Sequence, residues 1–313
     1  MKFLSSIILL TLFIVSCGGG GGSSNDDVIT PPIPPTTTET LEDICSYYSW
    51  GLFCEFTHDG LNREFTVYIP QSYEEGTQVP LLFNFHGYGS SAYAQIGYGD
   101  FRDLSEQHNF IIVIPQGSLL QGTSHWNVKG WTSASTTDDI DFTSEMIDRI
   151  SAEYSIDLTR VYATGMSNGG FMSYHLACNL SSRIAAIASV TGSMTPGTYN
   201  DCNPVHPTSI MQIHGINDSV VPYQGNAGMK PIPEVIEYWK NYNQCTSLAI
   251  GDFTSGSTSE SHQNCLNDVS VELWVLNNFG HSWPETRRGD EINGAEVIWN
   301  FLSLYNTNGR IAD

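Results

Sequence analysis

The segment Gly165-Met166-Ser167-Asn168-Gly169-Gly170 constrains this chain more than any other. An apolar strand pattern, Val161 to Thr164, runs straight into it, and a helical pattern begins at Gly170. Only small residues on either side of the serine let a strand turn into a helix with no intervening loop. A strand feeding such a helix needs a sheet for the helix to pack back onto. The same alternation recurs along the chain. Phe65 to Pro70, Leu81 to Gly87, Phe110 to Pro115, Ile184 to Val190, Ser209 to Gly215 and Val269 to Leu276 read as strands. Phe101 to His108, Ile140 to Tyr154, Ile232 to Tyr242 and Ala295 to Leu304 carry helical spacing. Continuous apolar strands separated by helices predict an α/β fold with a mostly parallel central sheet flanked by helices. Asp59-Gly60 is a hairpin signal, so the entry to the sheet is antiparallel. One domain over 41–306 is the economical reading, with 307–313 as a tail. Ser247 to Gln263, rich in Ser, Thr and Gly, reads as a loop.

Composition narrows the partners. Lys+Arg 12 against Asp+Glu 33 gives a formal net charge of -21. A chain this acidic offers no dense basic face for phosphate, so no nucleic acid is expected. Hydrophobic residues at 40% provide for a sizeable core and argue against disorder.

The N-terminus is a targeting signal. Met1-Lys2 precedes an apolar run from Phe3 to Val15, shorter than the ~20 residues a spanning helix needs. Ile14-Val15-Ser16-Cys17 resembles a bacterial lipobox, which makes Cys17 the expected lipidation site and 1–16 the signal peptide. Gly18 to Gly22 and the Pro/Thr stretch after it read as a tether over 17–40. The expected location is exported and lipid-anchored at the cell envelope, at the outer membrane or cell surface, with the membrane contacted only through that lipid. The other cysteines agree with export: Cys45, Cys54, Cys178, Cys202, Cys245 and Cys265 are even in number. Many pairings are open to them. Sequence order favours Cys45–Cys54, Cys178–Cys202 and Cys245–Cys265.

The serine at the turn carries the chemistry. A strand–G-x-S-x-G–helix context pushes the Ser167 hydroxyl out above the sheet, where it serves as a nucleophile. It then aims the Asn168 N–H at a developing oxyanion. A hydroxyl needs a base, and the base needs an orienting acid. Asp218 is the acidic residue of the loop after the strand ending at Gly215. His262 lies in the polar Ser/Thr stretch, whereas His281, in Gly280-His281-Ser282-Trp283-Pro284, follows a strand and precedes a helix. His281 is therefore the expected base, losing activity on the acid side when it takes up a proton. The second oxyanion donor is expected from the N–H of Tyr88 in His86-Gly87-Tyr88-Gly89, with His86 as a structural brace. Trp126 and Trp283 are expected to line the substrate cleft, and Trp131 is divided evenly between cleft and core. Asp138, Asp139 and Asp141 open a helix, where carboxylates cap and complement the dipole, so no metal is expected, nor any cofactor.

Together these segments resemble the secreted poly(3-hydroxybutyrate) depolymerase and feruloyl esterase family. The resemblance spans Leu82 to Ser91, Trp126 to Asp141, Gly165 to Tyr174, His214 to Tyr223 and Gly280 to Pro284. It implies an α/β-hydrolase fold, a Ser167–Asp218–His281 triad and a disulfide after the nucleophile helix, which fits Cys178–Cys202. The implied function is a serine carboxylic-ester hydrolase working through an acyl-enzyme. Its substrate would be feruloyl or acetyl esters of polysaccharide, or polyhydroxyalkanoate-type polyesters. A non-catalytic polymer-binding lipoprotein and a serine peptidase are the alternatives from other classes.

Overall fold

The structure is a computed structural model, and it describes residues 39–252 and 256–312. The segment expected to be a signal peptide, Cys17 and nearly all of the expected tether lie outside the described residues.

The strands are β1 (Cys45–Tyr48), β2 (Gly51–His58), β3 (Leu61–Tyr68), β4 (Val79–Phe85), β5 (Ile111–Pro115), β6 (Ser118–Leu120), β7 (Thr123–His125), β8 (Ile156–Met166), β9 (Ala186–Val190), β10 (Ser209–Gly215), β11 (Ser247–Asp252), β12 (Thr258–Gln263), β13 (Val271–Leu276), β14 (Tyr305–Asn306) and β15 (Gly309–Arg310). The helices are α1 (Leu41–Ile44), α2 (Ala92–Tyr98), α3 (Arg102–His108), α4 (Asp139–Glu153), α5 (Asn168–Asn179), α6 (Pro196–Asn200), α7 (Ile232–Tyr242) and α8 (Gly294–Leu302). The main sheet has 11 strands in the order β1-β2-β3-β5-β4-β8-β9-β10-β13-β12-β11. Its centre, β5 through β13, is parallel, and antiparallel strands close both edges.

Alternation along the strands explains the two layers. In β4, Leu81, Phe83 and Phe85 point into one core with α4, α5 and α7, while Leu82 points into the other with α3 and α8. Helix α4 supplies Phe142, Met146, Ile147 and Ile150, all at 0% exposure. That i, i+4, i+5, i+8 spacing is one helical stripe, and each side chain contributes about 1.5–3 kcal/mol by leaving water.

Two sequence expectations need correcting. Ser247 to Gln263 is not a loop: β11 and β12 pair antiparallel there, and β12 pairs with β13. Edge strands hold through backbone hydrogen bonds and tolerate polar side chains, so the apolar signature of a buried strand is missing. Nor is 307–312 a free tail. The β14–β15 hairpin and the bond from Thr307 N–H to Thr159 O (2.9 Å) tie it to β8. The Asp59-Gly60 hairpin does join β2 to β3, with His58 opposite Leu61.

The disulfides are Cys45–Cys54, Cys178–Cys202 and Cys245–Cys265. The first crosses the β1–β2 pair, where the two cysteines are register partners. Among the described residues, no helix is long and apolar enough to cross a membrane.

Candidate active site

The site lies at the carboxyl ends of the parallel strands. Register places Phe85 of β4 opposite Gly165 of β8, so the segments that follow, His86-Gly87 and Met166-Ser167, leave the sheet side by side. Ser167 sits at φ 55, ψ -119, a left-handed conformation rare for a residue with a side chain. Such strain costs on the order of 1–3 kcal/mol and persists only where neighbours enforce it. The enforcing contacts are visible. Ser167 N–H donates to Val190 O (2.8 Å), and Ser167 O accepts from Phe171 N–H (3.0 Å), the first turn of α5. The glycines are obligatory: a Cβ on Gly169 would stand 2.0 Å from Phe85 O, and one on Gly165 2.5 Å from the same atom. Gly87 approaches the serine itself, since a Cβ there would meet Ser167 Cβ at 3.4 Å.

His86 is fully buried and holds this loop. Its Nδ1 donates to Gly87 O (2.7 Å) and its Nε2 accepts from Gly117 N–H (2.9 Å). Burial pulls its pKa down to about 4, more than the Gly87 hydrogen bond pushes it up, so the ring is neutral. With Gly87 C=O tied to the ring, the trans peptide points Tyr88 N–H the opposite way. Gly89 N–H donates to Ser124 O (2.8 Å), bracing the other end against β7.

The acid and the imidazole meet directly. His281 Nδ1 is 2.8 Å from Asp218 Oδ2. The other carboxylate oxygen accepts from Val220 N–H (2.9 Å) and Val221 N–H (2.8 Å). Burial raises the Asp218 pKa, but hydrogen bonds from His281 and these amides together outweigh it and hold the carboxyl below its usual range. Two backbone bonds join the loops that carry the pair: Ile216 N–H to Leu276 O (3.1 Å) and Asn217 N–H to Phe279 O (3.0 Å). His214, buried below, donates from Nε2 to Val221 O (2.8 Å) and accepts from Gln212 at Nδ1 (3.0 Å). It braces the Asp218 loop. His262 is on β12 beside Glu260 (3.3 Å).

The tryptophans depart from expectation. Trp126 is at 0% exposure and is a strut rather than a cleft wall. Its indole N–H donates to His86 O (2.8 Å), and the Asn168 side chain clamps its backbone, accepting from Trp126 N–H (2.7 Å) and donating to Trp126 O (3.2 Å). Trp283, 2% exposed, packs edge-on against Phe101 (6.0 Å) and fills the α2–α3 corner. Tyr88 and Trp131 are exposed instead, ring against ring at 5.6 Å. Beyond Ser91, an apolar groove of about 640 Å³ lies between α2 and β2–β3, lined by Trp50, Phe53, Thr66, Tyr93, Ile96 and Gln116.

Sequence reasoning also missed what Asp139 does. Asp138 is the cap of α4, accepting from Asp141 N–H (2.9 Å). Asp139 turns inward, pairs with buried Arg63 (2.6 Å) and accepts from Asn127 N–H (2.7 Å) and the Thr137 hydroxyl (3.1 Å). The lone arginine in an otherwise half-apolar strand pattern was the signal.

An eleven-stranded sheet with a strained serine between strand and helix, and an Asp–His pair on the loops after β10 and β13, defines the α/β-hydrolase class. The chain belongs to the Phospholipase/Carboxylesterase family, whose model matches residues 69–249. Among curated proteins it is 28% identical over 264 residues to a bifunctional acetylxylan esterase/xylanase of Neocallimastix patriciarum, covering 81% of this chain and 35% of that protein. It is 27% identical to feruloyl esterase B of Piromyces equi, over 78% of this chain and 45% of that one. A probable feruloyl esterase C of Aspergillus terreus is 26% identical, with 77% and 84% covered. The chain thus spans less than half the length of the first two relatives. The solved acetyl xylan esterase from Aspergillus awamori shares the fold, with a TM-score of 0.62 at 15% identity, covering 80% of this chain and 98% of that one.

Proposed function

We propose that this protein is an exported serine carboxylic-ester hydrolase acting on acetyl or feruloyl esters of polysaccharide. The observation that carries the reading is Ser167 held at φ 55 on the turn between β8 and α5. Strain of this kind clusters at functional sites, and on a strand-to-helix turn it lifts the serine hydroxyl clear of the sheet.

In this reading His281, its Nδ1 held by Asp218, takes the Ser167 proton at Nε2. The serine oxygen attacks the ester carbonyl carbon. The oxyanion that forms is stabilised by the N–H groups of Tyr88 and Asn168. As the tetrahedral intermediate collapses, His281 returns the proton to the leaving alcohol. Water, deprotonated by the same imidazole, then cleaves the acyl-enzyme and releases the acid. Asp218 keeps the proton of His281 on Nδ1 and stabilises the charged ring. The curated relatives support the substrate class, and exposed Tyr88, next in the chain to the Gly87 that approaches Ser167, with Trp131 packed against it, supports a bulky or sugar-linked ester. We assign Cys17 as a lipid attachment site on its lipobox-like sequence; loss of metabolic lipid label in Cys17→Ala tests it.

The deciding experiment is a panel of methyl ferulate, acetylated xylan oligomer, 3-hydroxybutyrate trimer and a short p-nitrophenyl ester, each beside Ser167→Ala. A rate on methyl ferulate or acetylated xylan that vanishes in the variant is expected. The 3-hydroxybutyrate trimer as best substrate would move the assignment to polyesters, and no ester rate from folded protein would refute it.

A further inference from the structure

Away from Ser167, one cluster of charged groups has chemistry that ester hydrolysis does not use. β2 ends at His58, and the chain reverses through Asp59 (φ 49) and Gly60 (φ 74). Two left-handed residues in succession are what a type I′ hairpin requires, and this turn sets the Asp59 carboxylate beside the His58 ring. Asp141 arrives from the first turn of α4, which packs on β2 through Phe56 and Phe142 (5.7 Å).

His58 is 8% exposed, and its Nε2 is buried without a hydrogen-bond partner. Buried polar nitrogens are rarely left so. This one faces Asp59 Oδ2 at 3.8 Å and Asp141 Oδ2 at 3.6 Å. Both distances are too long for a charge-assisted hydrogen bond, which closes at about 2.7–2.9 Å. They are close to the spacing of neighbouring ligands on one cation. With metal bonds of about 2.0–2.2 Å and angles of roughly 110–120°, ligand atoms stand about 3.3–3.8 Å apart. One ligand atom from each residue lies within 4.8 Å of the others.

We propose that His58, Asp59 and Asp141 bind a zinc ion, with water in the remaining position, fastening the β2–β3 hairpin to the start of α4. The donor set selects the metal. An imidazole nitrogen disfavours Ca²⁺ and Mg²⁺, which take oxygen ligands. One nitrogen and two carboxylates suit Zn²⁺. The ring is preorganised against Phe56 (6.1 Å) and Phe142 (5.7 Å). The two carboxylates, with side chains 63% and 66% exposed, are free to close by a few tenths of an ångström and leave the site open to entry. The ion would bind the folded chain and not the unfolded one, so its effect is on stability.

The test uses the full chain, stripped with chelator and titrated with zinc chloride by calorimetry and thermal unfolding. One high-affinity Zn²⁺ per chain and a Tm that climbs with Zn²⁺ are expected, with Ca²⁺ and Mg²⁺ inert. Asp141→Asn, an exposed change that keeps the fold, should weaken Zn²⁺ binding at least tenfold, and His58→Gln likewise. Hydrolysis of a p-nitrophenyl ester should be the same with and without Zn²⁺, which separates this outcome from the fate of the esterase assignment. A Tm indifferent to Zn²⁺, or an equal response in Asp141→Asn, overturns the site.

Discussion

Replacing Asp139 by leucine tests how the core supports the site. In the native protein, the Arg63 side chain is 1% exposed and the Asp139 side chain 0%. The guanidinium lies 3.7 Å over the Phe142 ring, and among the described residues the Asp139 carboxylate is its only ion-pair partner. Asp139→Leu strands a buried cation, a loss of about 3–5 kcal/mol. It also leaves Asn127 N–H without its acceptor, about 1–3 kcal/mol more if nothing replaces it. The two losses share one site and overlap, so about 5 kcal/mol is the working figure. At about 2–4 °C per kcal/mol for a domain of this size, Tm should fall by roughly 10–20 °C. Arg63→Met combined with Asp139→Leu should recover most of this. It removes the stranded charge, and Arg63 Nε is already without a partner in the native fold. Calorimetry with the disulfides intact is the assay. A single variant costing under about 1 kcal/mol, or a double variant no better than the single, would refute the reasoning. The ester rate should fall too, because Asn127 adjoins Trp126, which Asn168 clamps beside Ser167.

Other consequences follow from the same contacts. Asp218→Asn should lower kcat about 10³–10⁴-fold with Tm changed little; a smaller loss would point to another acid for His281. His86 and His175 are buried, which lowers each pKa from 6.5 to about 4. The unfolded chain therefore takes up more protons between these values. Stability is complete above pH 6.5 and drains away as pH falls toward 4, by roughly 3 kcal/mol per histidine. A Tm that holds flat from pH 7 to 4.5 would contradict this. Trp50→Ala and Tyr93→Ala, on the groove beyond Ser91, should reduce the rate on acetylated xylan several-fold and leave a p-nitrophenyl ester untouched. Equal losses on both would mean a structural role.

Much of the fold was legible because its signals are local. The strand–G-x-S-x-G–helix turn needs only neighbours in the chain, and it placed Ser167 before any tertiary contact was known. The order of Asp218 and His281 after it, each on a loop following an apolar strand, came from the same reading. So did the two helix stripes in α4 and α7 and the Asp59-Gly60 hairpin. What failed depended on distant partners. Composition marked Trp126 and Trp283 as cleft residues, but a tryptophan is buried or exposed according to what folds over it. The Asn168 side chain and His86 O enclose Trp126 across 42 and 40 residues of chain. The strand pair β11–β12 looked like a loop because an edge strand needs backbone pairing more than apolar side chains.

The sequence alone therefore determined the α/β alternation, the turn that exposes Ser167 and the residues from which a triad can be drawn. Those follow from periods of two and 3.6 residues and from sterics around single glycines. The tertiary structure alone decided that Asp218 and His281 stand 2.8 Å apart although 63 residues separate them. It also decided that Asp139 serves Arg63 rather than the helix dipole and that Trp131, not Trp126, faces solvent. Packing sums contacts over the whole chain, and no local pattern encodes which surfaces that sum will cover.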